Sequence, residues 1–163
     1  MKEIGFYYID EDVNVFLHSF LSQLVYRNGK KVLLYSSSIE KLKNLDKILW
    51  KMCGQADFLC HSIYDEKNGQ AKHEKILLSS KFINSNGADY LIMSNFVDRG
   101  DFMDSFEKGF YLCASLSRES VERAKKSQQK YNELGYSTVV RMRDEKACWK
   151  RVEYLELVES DKK

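Results

Sequence analysis

The chain of 163 residues is long enough for one domain whose hydrophobic core needs neither disulfides nor metal. Its 44% hydrophobic and 31% charged residues, with a net charge of +2, are typical of a globular protein and exclude a disordered one. No apolar stretch approaches the ~20 residues that span a bilayer. The four cysteines show no paired spacing and the first residues do not resemble a signal peptide, so we expect reduced thiols and a cytoplasmic protein.

The first elements predict a βαβ unit. Residues 4–9 form a short apolar and aromatic run typical of a buried strand, and Val32 to Tyr35 form a second one. The intervening helix ends at Asn28-Gly29 and has an apolar residue at every fourth position of one face: Phe16, Phe20, Leu24. A strand, a helix and a strand with short joints predict a parallel sheet with a right-handed crossover.

The pattern continues along the chain. Ser37 and Glu40 predict a capping box that opens a helix from Ile39 to Met52. Further expected elements are strands at 58–60, 76–79, 90–93, 110–114 and 137–142, helices at 102–107 and 118–134, a loop at 67–75 and a turn at 84–87. We therefore expect one three-layer α/β domain with a mostly parallel sheet over residues 1–152, followed by an acidic tail, 153–163.

The turns that follow the strands are where open α/β sheets bind ligands. The first such turn is Asp10-Glu11-Asp12, which lacks the glycines of a dinucleotide site and repels phosphate. One enzymatic alternative remains open, a small Mg²⁺-dependent phosphohydrolase. Its metal ligands would be the aspartates at the ends of two strands: Asp10, Asp12, Asp98, Asp101, Asp104.

The sequence gives little support to a zinc site or to a direct nucleic-acid-binding site. Cys53, Cys60, His61 and His73 do not have the close paired spacing of a structural zinc site. The stretch from Arg118 to Arg151 holds ten Lys/Arg and five Asp/Glu. This excess is modest for a direct nucleic-acid binder, and no interleaved aromatics support base stacking.

Trp50 and Phe58 do not fit a plain core. At ~100° per residue, Trp50 lies roughly 120° from the centre of the apolar stripe of its helix, so we expect it to point away from the sheet. Phe58 follows in a loop or edge strand. Because large aromatics dominate interface energetics, this pair is a candidate anchor for a protein partner.

The helix from Arg118 to Leu134 has a charged outer face. Lys125 has no acidic residue four positions before or after it, and Gln128 lies at the edge of the inner stripe, near Ala124. We expect these residues to form a cationic lip beside an apolar groove.

At this point the chain resembles the chi subunit family of bacterial DNA polymerase III holoenzyme. The resemblance covers nearly the whole chain and rests on the order and spacing of short motifs: Phe6-Tyr7, Gly29-Lys30-Lys31-Val32-Leu33, residues 45–50, Phe58-Leu59-Cys60-His61, Ile76-Leu77-Leu78, Asn86-Gly87-Ala88, Ala124-Lys125, Trp149.

The resemblance implies a non-catalytic, Rossmann-like accessory subunit without cofactor or metal. It implies pairing with the psi subunit, through Trp50 and Phe58, and hence a link to the clamp loader; another replication or repair protein is the alternative partner for these two residues. It also implies binding of the acidic C-terminal tail of single-stranded-DNA-binding protein, which ends in phenylalanine, and so indirect contact with single-stranded DNA. Lys125 matches the tail-binding position of the family.

The chain departs from the family pattern at this site. The family usually has Arg where Lys125 stands and an aromatic where Gln128 stands. Arg grips a carboxylate with two parallel hydrogen bonds, whereas Lys offers a point charge. We therefore expect a weaker or shifted tail site, toward Lys126, Lys130 or Tyr131.

Overall fold

The computed structural model describes residues 1, 3–52, 58–67, 70–114, 116–143 and 148–152. Its strands are β1 (Glu3–Tyr8), β2 (Val32–Tyr35), β3 (His61–Ile63), β4 (Ile76–Ser79), β5 (Tyr90–Met93), β6 (Lys108–Cys113), β7 (Ser137–Arg143) and β8 (Trp149–Arg151). Its α-helices are α1 (Val13–Ser22), α2 (Ile39–Met52), α3 (Gly100–Asp104) and α4 (Arg118–Glu133).

The described strands form one sheet in the order β3-β4-β2-β5-β6-β1-β7-β8. Every neighbouring pair is parallel except β7 and β8. Strand β1 is central, with Glu3 opposite Lys108 on one side and Ser137 on the other. Helices α1 and α2 cover one face of the sheet, and α3 and α4 cover the other. The expected three-layer α/β domain with a mostly parallel sheet is confirmed.

Local sequence explains where α1 begins and ends. The Asp12 carboxylate accepts hydrogen bonds from the backbone N–H groups of Asn14 and Val15, at 2.8 and 3.2 Å, and so caps the helix. The helix continues as a π-helical turn, Gln23–Arg27. It stops before Gly29, whose φ of 65° favours glycine. The predicted stop at Asn28-Gly29 is confirmed.

The start of α2 and the position of β3 differ from the prediction. Ser38, not Ser37, caps α2, because its Oγ accepts the backbone N–H of Lys41 at 3.3 Å. Strand β3 occupies 61–63 rather than 58–60, since pairing with β4 begins at His61 opposite Ile76. Sequence alone does not reveal that partner.

Three further elements differ from the prediction. A 3₁₀ turn, Gln70–His73, lies within the expected loop 67–75. Helix α3 begins at Gly100 and ends at Asp104 instead of running over 102–107. Strand β8 was not predicted, because Trp149-Lys150-Arg151 has only one apolar residue; it forms by antiparallel pairing with the preceding strand, β7. The acidic tail 153–163 lies outside the described residues.

Candidate interaction surfaces

Trp50 and Phe58 lie side by side at the surface, near the β3 edge of the sheet. Trp50 comes from the last turn of α2 and is 44% exposed, and Phe58 precedes β3 and is 55% exposed. Their ring centroids are 5.5 Å apart. The expectation that Trp50 is exposed is confirmed, although its ring lies against His61 at the start of β3 rather than away from the sheet, and Trp50 and Phe58 form one patch.

The position of Trp50 is fixed from beneath by His61. The centroids of the two rings are 4.7 Å apart, and the His61 side chain is buried. His61 Nδ1 lies 2.6 Å from the carbonyl oxygen of Leu59, so this nitrogen carries a proton and donates. Nε2 lies 3.3 Å from Asp46 Oδ1, an ion-pair distance without hydrogen-bond geometry. These contacts tie Trp50 to the start of β3.

Tyr26 joins this patch, and sequence reasoning missed it. It lies in the π-helical turn after α1, is 48% exposed, and donates its hydroxyl hydrogen bond to the carbonyl oxygen of Phe58. Lys75 Nζ lies 5.8 Å from the centre of the Tyr26 ring. We call Tyr26, Trp50 and Phe58 the aromatic surface. An aromatic residue off the apolar rows of its helix, the signal that identified Trp50, would also have identified Tyr26.

The edge of α4 that faces β7 carries Lys125 and Gln128. Ala124 is buried and Lys125 is half-buried. Gln128 Nε2 donates to Thr138 Oγ1 at 2.9 Å, and the Thr138 hydroxyl donates to Asn132 Oδ1 at 2.8 Å. The site expected to be an apolar slot beside Gln128 is therefore bordered by a connected polar network.

Lys130 lies on the opposite edge of the same helix. Its Nζ is 4.9 Å from the centre of the Phe96 ring, in the loop that follows β5, and this ring is 4.7 Å from Tyr131. Tyr131 is fully buried, and burial raises the pKa of its hydroxyl. Lys126 is exposed on the outer face between the two edges. The residues predicted to form one tail site are thus distributed over two edges of α4.

The strand-end aspartates do not converge on one site. Asp10 and Asp12 follow the carboxyl end of β1, whereas Asp104 lies 3.5 Å from the amino group of Met1, before the opposite end of that strand. A cavity of about 440 Å³ lies at the carboxyl ends of β2 and β5. Its lining is mainly apolar, and none of the five candidate aspartates is part of it.

The candidate zinc ligands do not come together as a metal site among the described residues. Within the described ranges, no cluster of three or more His, Cys, Asp or Glu side chains could hold a metal ion. Cys60 is exposed, His61 is engaged as described above, and Cys53 lies outside the described residues. Among the described residues, no helix has the length and apolar character required to cross a membrane.

Comparison with known proteins identifies both a family and a fold. Residues 1–139 match the family model described as DNA polymerase III chi subunit, HolC. No curated protein sequence matches the chain. Among solved structures, the C-terminal domain of Dbp5 from S. cerevisiae, bound to Gle1 and IP6, is similar with a TM-score of 0.50. That match has 8% identity and covers 86% of this chain and 90% of the other, so it concerns the fold alone.

Proposed function

Because this chain belongs to the DNA polymerase III chi subunit family, it is an accessory subunit of that polymerase, and we propose that it works as a non-catalytic adaptor. In this proposal it joins the clamp loader, through psi, to single-stranded-DNA-binding protein during replication in the cytoplasm. The observation that carries the proposal is the aromatic surface, three large rings that remain about half exposed in a folded domain.

The aromatic surface has the properties of an interface anchor. Aromatic side chains supply most of the binding energy at many interfaces, particularly when their positions are fixed before binding. The Trp50 ring lies against His61 and the Phe58 ring, and the Tyr26 side chain is held by its hydrogen bond to the Phe58 carbonyl oxygen. A partner would therefore gain contact area without ordering these side chains first. We assign this surface to psi.

The acidic tail of single-stranded-DNA-binding protein fits the basic half of α4. Lys125, Lys126 and Lys130 all lie within two turns of that helix. The family position is Lys125, on the β7 edge. The other edge of α4 offers an aromatic ring, Phe96, beside a cation, because Lys130 lies over the Phe96 ring. The tail's terminal phenylalanine could pack against such a ring. We place the tail carboxylates along Lys125 and Lys126, with the Phe96 edge as the alternative location.

Copurification tests the psi assignment. Trp50→Ala or Phe58→Ala should abolish recovery of psi with this chain, because either change removes an anchor ring. The matched control is Phe82→Ala, since Phe82 is an aromatic 40% exposed at another surface, stacked on Tyr35. Equal loss of psi in the Phe82 variant, or undiminished recovery with both anchor variants, would contradict the assignment.

Calorimetry tests the tail assignment with a synthetic peptide that has the acidic residues and final phenylalanine of such a tail. A charge-assisted hydrogen bond contributes about 1.5–3 kcal/mol, so Lys125→Ala should weaken binding about tenfold or more. Added salt should weaken it further. If Lys130→Ala is the damaging change and Lys125→Ala is neutral, the tail binds at the Phe96 edge. No binding to the native chain at low salt would remove this part of the proposal.

A further inference from the structure

The described part of the chain ends on the α4 side of the sheet, at Val152. Strand β8 alternates its side chains between the two faces of the sheet. Trp149 packs on the α1 side, with ring centroids 4.7 Å from Tyr7 and 5.6 Å from Phe16. Val152 packs against the core on the α4 side, and its N–H donates to the Val140 carbonyl oxygen at 3.1 Å. The last described residue, Val152, therefore has its side chain on the face of the sheet that α4 covers.

The net positive charge of α4 is concentrated in its later half. In its first two turns, Arg118 pairs with Glu122 and Arg123 with Glu119, at 3.2 and 2.7 Å. The later half carries Lys125, Lys126 and Lys130, with Glu133 as its acidic residue. Lys150 adds to this side, because it pairs with Met142 in the sheet and Met142 packs in the α4-side core.

Segment 153–163 has the opposite charge and sufficient length. Residues 153–161 contain four acidic residues and no basic one, and they include four apolar residues: Tyr154, Leu155, Leu157, Val158. This segment lies beyond the part of the chain that matches the family, 1–139. Eleven extended residues span about 35 Å, whereas the 16 residues of α4 span about 24 Å. The segment can therefore reach any part of the helix from Val152.

We propose that segment 153–163 binds the basic half of α4 within the same chain, with its glutamates against Lys125, Lys126 and Lys130. It thereby occupies the surface that an acidic peptide from another protein would use. The docking follows from the position of Val152, the charges and the length given above. The competition rests in addition on the proposed function, in which α4 receives such a peptide.

The expected size of the effect follows from tethering. A short flexible linker holds a segment at an effective concentration of about 1 mM. If the segment alone has a dissociation constant of about 100 µM, it occupies the site in about nine molecules of ten. The apparent affinity for a competing peptide then falls about tenfold, since only the unoccupied fraction can bind it.

The test uses the full chain with the triple substitution Glu153→Gln, Glu156→Gln and Glu159→Gln, which removes charge and keeps length and apolar residues. The control removes three exposed acids far from α4 in the chain: Glu40→Gln, Asp65→Asn, Glu66→Gln. Two measurements are made. Amide chemical shifts of residues 124–130 are compared without any ligand, and the acidic peptide is titrated into each protein by calorimetry.

The proposal expects the shifts of α4 to change in the triple variant and not in the control, and peptide affinity to rise about tenfold in the triple variant alone. Unchanged α4 shifts overturn it, as does a control that behaves like the triple variant. If the shifts change but no protein binds the peptide, the docking stands and the proposed tail-binding function fails. If all proteins bind equally well, the competition is refuted and the tail-binding function stands.

Discussion

Replacing Trp50 by alanine tests whether the aromatic surface is separate from the core. A fully buried tryptophan removes about 150–250 Å² from water, and just over half of Trp50 is buried. At about 25 cal/mol per Å², the ~100 Å² concerned corresponds to about 2.5 kcal/mol. Residual compactness of the unfolded chain and the better helix propensity of alanine reduce the expected loss to about 1–2 kcal/mol.

The neighbouring residue on the same helix provides the matched comparison. Leu49 is fully buried, so Leu49→Ala leaves a cavity and should cost about 3–5 kcal/mol. Urea unfolding followed by circular dichroism should place the midpoint of Trp50→Ala about 0.5–1 M below the native value, and that of Leu49→Ala about 1.5–2.5 M below it. Circular dichroism is the appropriate signal, since the substitution removes one of two tryptophans. Equal losses in the two variants would show that Trp50 belongs to the core.

Tyr131→Phe should lower the free energy of unfolding by about 1–3 kcal/mol in urea, because the Val97 N–H donates to its hydroxyl at 2.9 Å in a buried setting; no loss would mean that another acceptor replaces it. The Lys108 ammonium donates a hydrogen bond to Glu3 and lowers the pKa of that carboxyl. The stability difference between native protein and Glu3→Gln should therefore be constant above the ordinary glutamate pKa and vanish as the pH falls through the lowered value; pH-independent differences in urea midpoint would contradict this assignment. Native protein should not turn over phosphoesters with Mg²⁺, and turnover that is lost in Asp10→Asn would refute the non-catalytic proposal.

The sequence predicted best where burial is continuous. The bounds of β2, β4 and β5 were predicted correctly, because each is an uninterrupted apolar run between polar residues, as a central parallel strand requires. Strand β8 could not be predicted in this way. Trp149 packs on one face only, and the strand exists because β7 supplies its hydrogen-bonding partners.

The candidate surfaces were likewise predictable only where helical periodicity alone decides a residue's exposure. The helical period of α2 was sufficient to predict that Trp50 is exposed. The period of α4 could not show which neighbours flank its lysines. Phe96 reaches Lys130 from a loop 34 positions earlier in the chain, and Thr138 reaches Gln128 from a strand. Those contacts depend on the order of strands in the sheet, which local sequence patterns do not specify.

The central position of β1 has a consequence for how this protein is made. Strand β1 is synthesised before both of its neighbours and pairs with β6 on one side and β7 on the other, about 105 and 134 residues later. Until residue 143 has emerged, β1 cannot have both neighbours, and at least one of its edges stays open to other chains. Such distant pairing slows folding and extends the time during which a partly made sheet can aggregate. We therefore expect the nascent chain to depend on chaperones until β7 is added.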